Sequence, residues 1–327
     1  MKILITGGAG FIGSHLAKKL IDENHKVIIL DNLSTGRFDN IEKYIESIDF
    51  INEDISKEGS WIKKFENVDA VFHLASLADI VPSIKMPELY FHSNVTGTLN
   101  ILEAMKENQV KKIFYAASSS CYGVPKQYPT KEDEIINPEY PYAFTKYIGE
   151  LMIQHWSKVY NIDYISTRFF NVYGTKSRTS GTYGAMFGVF MAQKLHNKPL
   201  TIVGNGEQKR DFIYVTDLCN ALYELLIRED IKNEIFNIGS GNPISVNQVA
   251  GLIGGDKVHI PKRPGEPEIT HADISKIISK IDWIPKVSIN EGVQKLLDDI
   301  SYWEKAPVWD PESIASETKL WFKYLNE

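Results

Sequence analysis

Short apolar runs alternate with segments of helix length through the first half of the chain, and this alternation narrows the possible folds more than any other feature. The runs are KILIT (2–6), KVIIL (26–30), DFIN (49–52), AVFHL (70–74), KIFYAA (112–117) and DYISTRF (163–169). An apolar run with little polar alternation suits a strand covered on both faces, and parallel neighbours require a crossover, normally a helix. The pattern predicts an α/β chain with a doubly wound parallel sheet, and 327 residues of 43% hydrophobic content can fill its core. The rhythm breaks after residue 175: MFGVFMAQKLH reads as a helix, LTIV and DFIYV as short strands and PKRPGEP as a loop. The expectation is a sheet domain over 1–175, rejoined by 209–240, and a smaller interleaved domain over 176–327. Within the tail 306–327, Ile314, Leu320, Trp321, Tyr324 and Leu325 predict an amphipathic helix docked on the body, with no role assigned.

Charge excludes several classes of partner. The 36 basic and 42 acidic residues leave a net charge of −6 with no basic tract, which argues against nucleic acid and an anionic membrane surface. An anionic ligand would need local cations. No run approaches the roughly 18 apolar residues of a membrane span, and the chain opens directly on a strand, so the cytoplasm is the expected compartment. Cys121 and Cys219 lie far apart without metal-ligand or disulfide spacing and read as reduced core thiols, with no metal site expected.

The first run leads into TGGAGFIGSHLAKKL, with Gly7, Gly10 and Gly13 at the turn and helix start. Such glycines let the backbone approach a pyrophosphate, whose charge is met by amide N–H groups and the helix dipole. Alone the spacing could be a mere turn. The second run ends at Asp31, about 20 residues on, where a carboxylate accepts from a ribose and repels a 2′-phosphate, which favours NAD over NADP. Arg37 lies beyond that acid and reads as solvated. Asp54 and Ile55 stand where an adenine ring could be contacted, and Asp54 could equally cap a helix.

PYAFTK sets Tyr142 and Lys146 four residues apart, on one face of a helix. Turning a phenol that titrates near ~10 into a base at neutrality requires about 4 kcal/mol, which a nearby ammonium is expected to supply. Upstream, AASSSCYG places Ser118, Ser119 and Ser120 at the end of a strand-like run.

These segments resemble the extended short-chain dehydrogenases/reductases, specifically the NAD-dependent nucleotide-sugar epimerases and dehydratases. GGAGFIGSHL, DNLSTG, EDI, HLAS, NVTGTLNILEA, AASSSCYG, PYAFTK, RFFNVYG, NGEQKRDFIYVTDL, FNIGSG and KRPGEP occur in the family's order up to about residue 305. The resemblance implies a Rossmann domain, a C-terminal sugar-nucleotide domain, retained NAD and a homodimer formed as a four-helix bundle by segments 90–107 and 143–160. Around the cofactor it places Phe11, Ile12, Asn32, Ser34, Thr35, Gly36, Leu74, Ala75, Ser76, Ala116 and Phe169 beside the residues above. Asn94 joins that set as a support, as does His73.

By the same resemblance Ser118, four residues before Tyr122 of the YG pair, bridges the sugar's reacting oxygen. Ser119 and Ser120 fall where the 4,6-dehydratases carry an aspartic acid and a glutamate, so dehydration lacks its acid and base; the two serines read as bonding backbone or packing behind the loop. What remains is a 4-epimerase: Tyr142 takes the C4 hydroxyl proton, a 4-keto sugar forms, and hydride returns to either face, with Lys146 also holding the nicotinamide ribose. Arg210, Arg263 and Asn171 match the positions that hold the diphosphate, and Thr201 to Val203 the segment that meets the base. A UDP-sugar is favoured. The loop SRTSGTYGAMFG departs from the commonest epimerase pattern, leaving amino, acetamido, uronic and deoxy sugars open. The alternatives are a 4,6-dehydratase or 4-oxidoreductase and, in another class, an NAD(H)-sensing binding protein.

Overall fold

The parallel sheet of the computed structural model, which describes residues 1–177 and 185–325, has seven strands. Six are β1 (Lys2–Thr6), β2 (Lys26–Leu30), β3 (Ile48–Ile51), β4 (Ala70–His73), β5 (Lys112–Ser118) and β6 (Asp163–Phe169). The seventh, Glu234–Ile238, pairs with β6, giving the order Glu234–Ile238, β6, β5, β4, β1, β2, β3. The chain winds outward from β1 to β3, crosses back to β4 and winds the other way. Connections therefore diverge above β1 and β4, which opens a crevice at the strands' carboxyl ends. Register levels the rim of that crevice: Thr6 lies opposite both Leu30 and His73, so Gly7, Asp31 and Leu74 leave the sheet together.

Strand residues alternate between two cores, as the period of two requires. Ile3, Ile5, Ile29, Phe72 and Phe114 pack with Leu16 and Leu20 of α1 (Phe11–Asp22). Leu4, Ile28, Leu30, Val71 and Ile113 face the opposite core. Between β4 and β5 run two short helices, α2 (Ile80–Lys85) and α3 (Pro87–Phe91), followed by α4 (Gly97–Glu107). α4 and α5 (Pro141–Tyr160) give Ile101, Met105 and Ile153 to the second core, while α6 (Met186–Leu195) and α7 (Val215–Ile227) join the first. α5 starts with Pro141, whose missing N–H costs nothing in the first turn, and ends at Asn161 in the left-handed region. A Cβ on Gly149 would lie 2.2 Å from the Tyr115 hydroxyl, so this glycine lets α5 lie close on β5.

The second half adds small ribbons. Asn171–Tyr173 pairs with Phe212–Tyr214, Leu200–Val203 with Lys257–Ile260, and Lys209–Arg210 with Ile244–Ser245. The tail forms a helix, Pro311–Leu325, that buries Ile314, Thr318 and Trp321. Tyr324 departs from the expected stripe and is 60% exposed, because it sits roughly 80° around the helix from Ile314 and Thr318 fills the stripe instead. Cys121 and Cys219 are free and buried, no helix among the described residues is long and apolar enough to cross a membrane, and none of those residues form a metal-binding cluster.

Candidate active site

One cleft of about 640 Å³ runs along the carboxyl ends of the strands and holds almost all the residues singled out from sequence. Its first wall is the β1–α1 turn. Gly7 has φ +70°, and a Cβ on Gly13 would sit 2.2 Å from the Gly7 carbonyl oxygen, so the helix can begin hard against the turn only without side chains. No side chain caps α1, and Gly10, Phe11, Ile12 and Gly13 line the cleft, presenting the positive end of the helix there.

Asp31 lies at the end of β2, 7% exposed, with Oδ2 accepting from Ala9 N–H (2.9 Å) and Oδ1 from Leu33 N–H (2.8 Å). Burial pushes its carboxyl up, opposed by those two bonds. Each oxygen keeps a further lone pair for a ribose hydroxyl. Asn32, Ser34, Thr35, Asp54, Ile55, Leu74, Ala75, Ser76, Ala116 and Phe169 continue the lining. Asp54 lines the cleft and closes a turn instead of capping a helix: Oδ1 accepts from the Ser56 N–H (2.9 Å) and hydroxyl (2.8 Å), and the next helical segment starts only at Ser60. An uncapped helix start, a bare glycine turn and a carboxylate at the next strand end fit an adenine dinucleotide.

Further along, β5 delivers Ser118 and the first two turns of α5 deliver Tyr142 and Lys146. The Ser118 hydroxyl stands beside the Tyr142 phenol and draws its titration down. It also donates to Ser120 Oγ (3.0 Å) and accepts from Ser120 N–H (3.2 Å). Ser120 has the same lowering influence on Tyr140, whose phenol burial pushes up. Ser119 and Ser120 both line the cleft, which revises the reading that they pack behind the loop.

Lys146 is 3% exposed, with Nζ 4.4 Å from the centroid of the Tyr115 ring. Burial lowers its amine from 10.5 to about 7, with Glu150 pulling it back up. Burial likewise pushes the Tyr142 phenol up, eased by the neighbouring Ser118 hydroxyl. The expected transfer of stabilisation from an ammonium to a phenolate therefore does not dominate in the protein alone, because withdrawal from water disfavours the charge on both groups. Glu150 is itself committed to Arg168, with contacts of 2.6 and 3.1 Å, and accepts from Ser166 at 2.7 Å.

Asn171, Thr201, Val203, Arg210 and Arg263 line the far part of the cleft. Glu266 contacts both guanidiniums, at 3.5 Å from Arg210 and 3.0 Å from Arg263. Thr270 donates to Asn171 Oδ1 (2.8 Å), so the donor end of that amide is what it can offer a phosphate. The Thr201 N–H already donates to Gln193 Oε1 (3.2 Å) and is taken.

Gly36, His73 and Asn94, all named around the cofactor, do not line the cleft. Asn94 spends its amide on Leu77 N–H (2.8 Å), Leu77 O (3.0 Å) and Thr145 Oγ1 (3.0 Å), so it fixes the wall from behind. Gly36 backs onto Asp31, where a Cβ would come 2.9 Å from Oδ1. His73, held between Thr6 and Thr98, is driven down to about 3 by burial and is neutral. Arg37 is more than solvated: it meets Asp39 at 2.9 Å and stacks 4.8 Å from the Tyr302 ring, at the cleft edge. Sequence reasoning missed Tyr140, Glu266, Tyr302, Trp309 and Trp321, which also line the cleft. The acid of the quoted KRPGEP run was the one available signal. Residues 178–184 of the divergent loop lie outside the described residues.

A doubly wound sheet with a glycine turn, a strand-end carboxylate and a serine, tyrosine and lysine on one cleft defines a dinucleotide-binding enzyme of the short-chain dehydrogenase type. The model of the NAD dependent epimerase/dehydratase family matches residues 3–239, and the chain belongs to that family, whose cofactor is NAD. A Methanocaldococcus jannaschii protein provisionally named UDP-glucose 4-epimerase is 38% identical, covering 90% of this chain and 97% of its own. The Thermotoga maritima UDP-glucose 4-epimerase, solved with UDP-glucose, superposes with TM-score 0.85 at 34% identity, covering 93% of this chain and 99% of its own. The Bacillus cereus UDP-glucuronic acid 4-epimerase, solved with UDP-glucuronic acid and NAD, gives 0.86 at 32%, covering 92% and 99%.

Proposed function

We propose that this protein is a nucleotide-sugar 4-epimerase that retains NAD and acts on a UDP-sugar. The reading rests chiefly on one observation: a single cleft joins the Asp31 end, the Ser118–Tyr142–Lys146 wall and the Arg210–Arg263 pair. Asp31, Gly7, Gly10, Gly13 and the start of α1 would hold the dinucleotide, and Arg210, Arg263 and the Asn171 amide the substrate diphosphate. Bound NAD would supply two-electron oxidation at sugar C4 and the matching reduction. Tyr142 Oη receives the proton of the C4 hydroxyl and later gives it back, and Ser118 Oγ stabilises the charge that develops on that oxygen. Lys146 fixes the nicotinamide ribose and, when protonated, favours the phenolate. Inversion follows when the keto sugar turns its other face before reduction. Ser119 and Ser120 supply no carboxyl group at the dehydratase positions, which favours epimerisation over dehydration.

The division into a sheet domain and an interleaved substrate domain belongs to this proposal, with Glu234–Ile238 as the returning segment. So does a cytoplasmic homodimer. Its support is an apolar stripe on α5, where Phe144 is 51% and Leu151 45% exposed with Ile148 between them, beside Leu89 and Phe91 of α3 at 48% each. That spacing suits a bundle seam.

The test incubates the NAD-loaded protein with UDP-, dTDP-, CDP- and GDP-sugars and follows products by NMR. Inversion at C4 without net change in cofactor is expected. A stable 4-keto-6-deoxy product, or NAD binding without turnover on the whole panel, would reject the epimerase reading.

A further inference from the structure

The tail helix has no part in the reaction described so far, and the family match ends at residue 239, well before it. We propose that Trp321 is a positioning residue for the Arg263 guanidinium, carried by a C-terminal helix that straps the substrate end of the cleft; the proposal rests on the nucleotide-sugar reading. Trp321 is 2% exposed and faces the cleft. Its Nε1–H donates to the Pro264 carbonyl (2.8 Å), the residue next to Arg263, and its ring lies 5.5 Å from Arg263 Cζ. Glu266 meets the same guanidinium from the side at 3.0 Å. An indole across the face and a carboxylate at the edge fix the plane of a side chain that otherwise rotates freely, and orienting it before an anion arrives removes part of the ordering cost of binding.

The loop around Arg263 gives the tryptophan something to hold, since residues 261–268 form no helix or strand. The helix is also tied to elements on both sides of the cleft. Glu317 pairs with Lys85 of α2 at 2.6 Å, and the Trp309 carbonyl ahead of it accepts from Gln193 of α6 at 2.7 Å. Trp321 and Tyr140 stand 6.3 Å apart between ring centres, so the strap reaches the residue two before the proposed base.

The test titrates UDP, as the probe, into the NAD-loaded protein, alongside Trp321→Leu and Trp321→Phe. The leucine variant loses the aromatic face and the N–H donor, and its Kd for UDP and KM for the sugar nucleotide should rise about tenfold. Phenylalanine keeps a face for Arg263 and should lose about threefold. In both, kcat should stay within about twofold and NAD content should not change, a split between KM and kcat that a general loss of structure would not give. Equal UDP affinity in the wild type and the phenylalanine variant overturns the proposal, also when the leucine variant fails to fold. UDP titration needs no turnover: a wild type that binds UDP but inverts no sugar refutes the epimerase reading and leaves the strap standing.

Discussion

Replacing Lys146 with methionine should make the NAD-free protein more stable, by an amount that depends on pH. Folding withdraws the amine from water and moves it from 10.5 to about 7. That displacement corresponds to about 5 kcal/mol, an upper figure because the structure can relax around the charge. Below about 7 the amine is protonated in both folded and unfolded chains, and the full penalty of a buried ammonium weighs on the fold. Between about 7 and 10.5 the unfolded chain binds the extra proton, so wild-type stability climbs with pH as the penalty fades. Methionine keeps the length and the packing without the charge. Urea unfolding of stripped wild type and Lys146→Met at a series of pH values from 6 to 10 reads the difference directly, with every other titration common to both. The variant should lead by several kcal/mol at pH 6 and converge on the wild type near pH 10. A difference that does not vary with pH, or a variant weaker at pH 6, would refute the argument that this lysine is held against its charge.

Tyr142→Phe should copurify with NAD and lose about 10²- to 10⁴-fold in turnover, and turnover near the wild-type rate would remove it as the base. Gly13→Ala puts a methyl 2.2 Å from the Gly7 carbonyl oxygen and 2.7 Å from Gly8 Cα, so the turn must open; cofactor content by absorbance should collapse, and full NAD occupancy would contradict the close-packed turn. Glu150→Gln leaves Arg168, 4% exposed at its side chain, without its carboxylate partner. A stability loss of about 3–5 kcal/mol is expected by denaturant unfolding, and a loss under about 1 kcal/mol would show that the pair is not what holds the charge.

Six sheet strands were legible because each falls in the regular alternation of short strand-like runs with helix-length segments, and KILIT, KVIIL and DYISTRF match β1, β2 and β6 residue for residue. The seventh was not read as a strand: EIFNI is as long as β1 but lies beyond the break in the strand–helix rhythm, and its place at the β6 edge depends on a partner about 70 residues earlier in sequence. Lining residues near the quoted motifs were equally accessible, since a glycine turn or a YxxxK pair fixes its own geometry over a few residues. Trp321, Tyr302 and Trp309 were not, because only tertiary packing of the tail brings them to the cleft. Asn94, expected as a support, bonds the Leu77 backbone and Thr145 behind the wall. The direction of the Tyr142 and Lys146 shifts depends on burial, which spacing alone does not reveal.

The edge strand Glu234–Ile238 bears on how the chain is made. A nascent polypeptide that has emerged only as far as residue 175 presents β6 with a row of unsatisfied amides and carbonyls, and it gains their partner only once residue 238 is clear of the ribosome. The two halves are thus not separable cargo: a gene split at 175 would yield an amino-terminal fragment inclined to stick to its copies, whereas co-expression with the remainder should rescue solubility by supplying the missing strand.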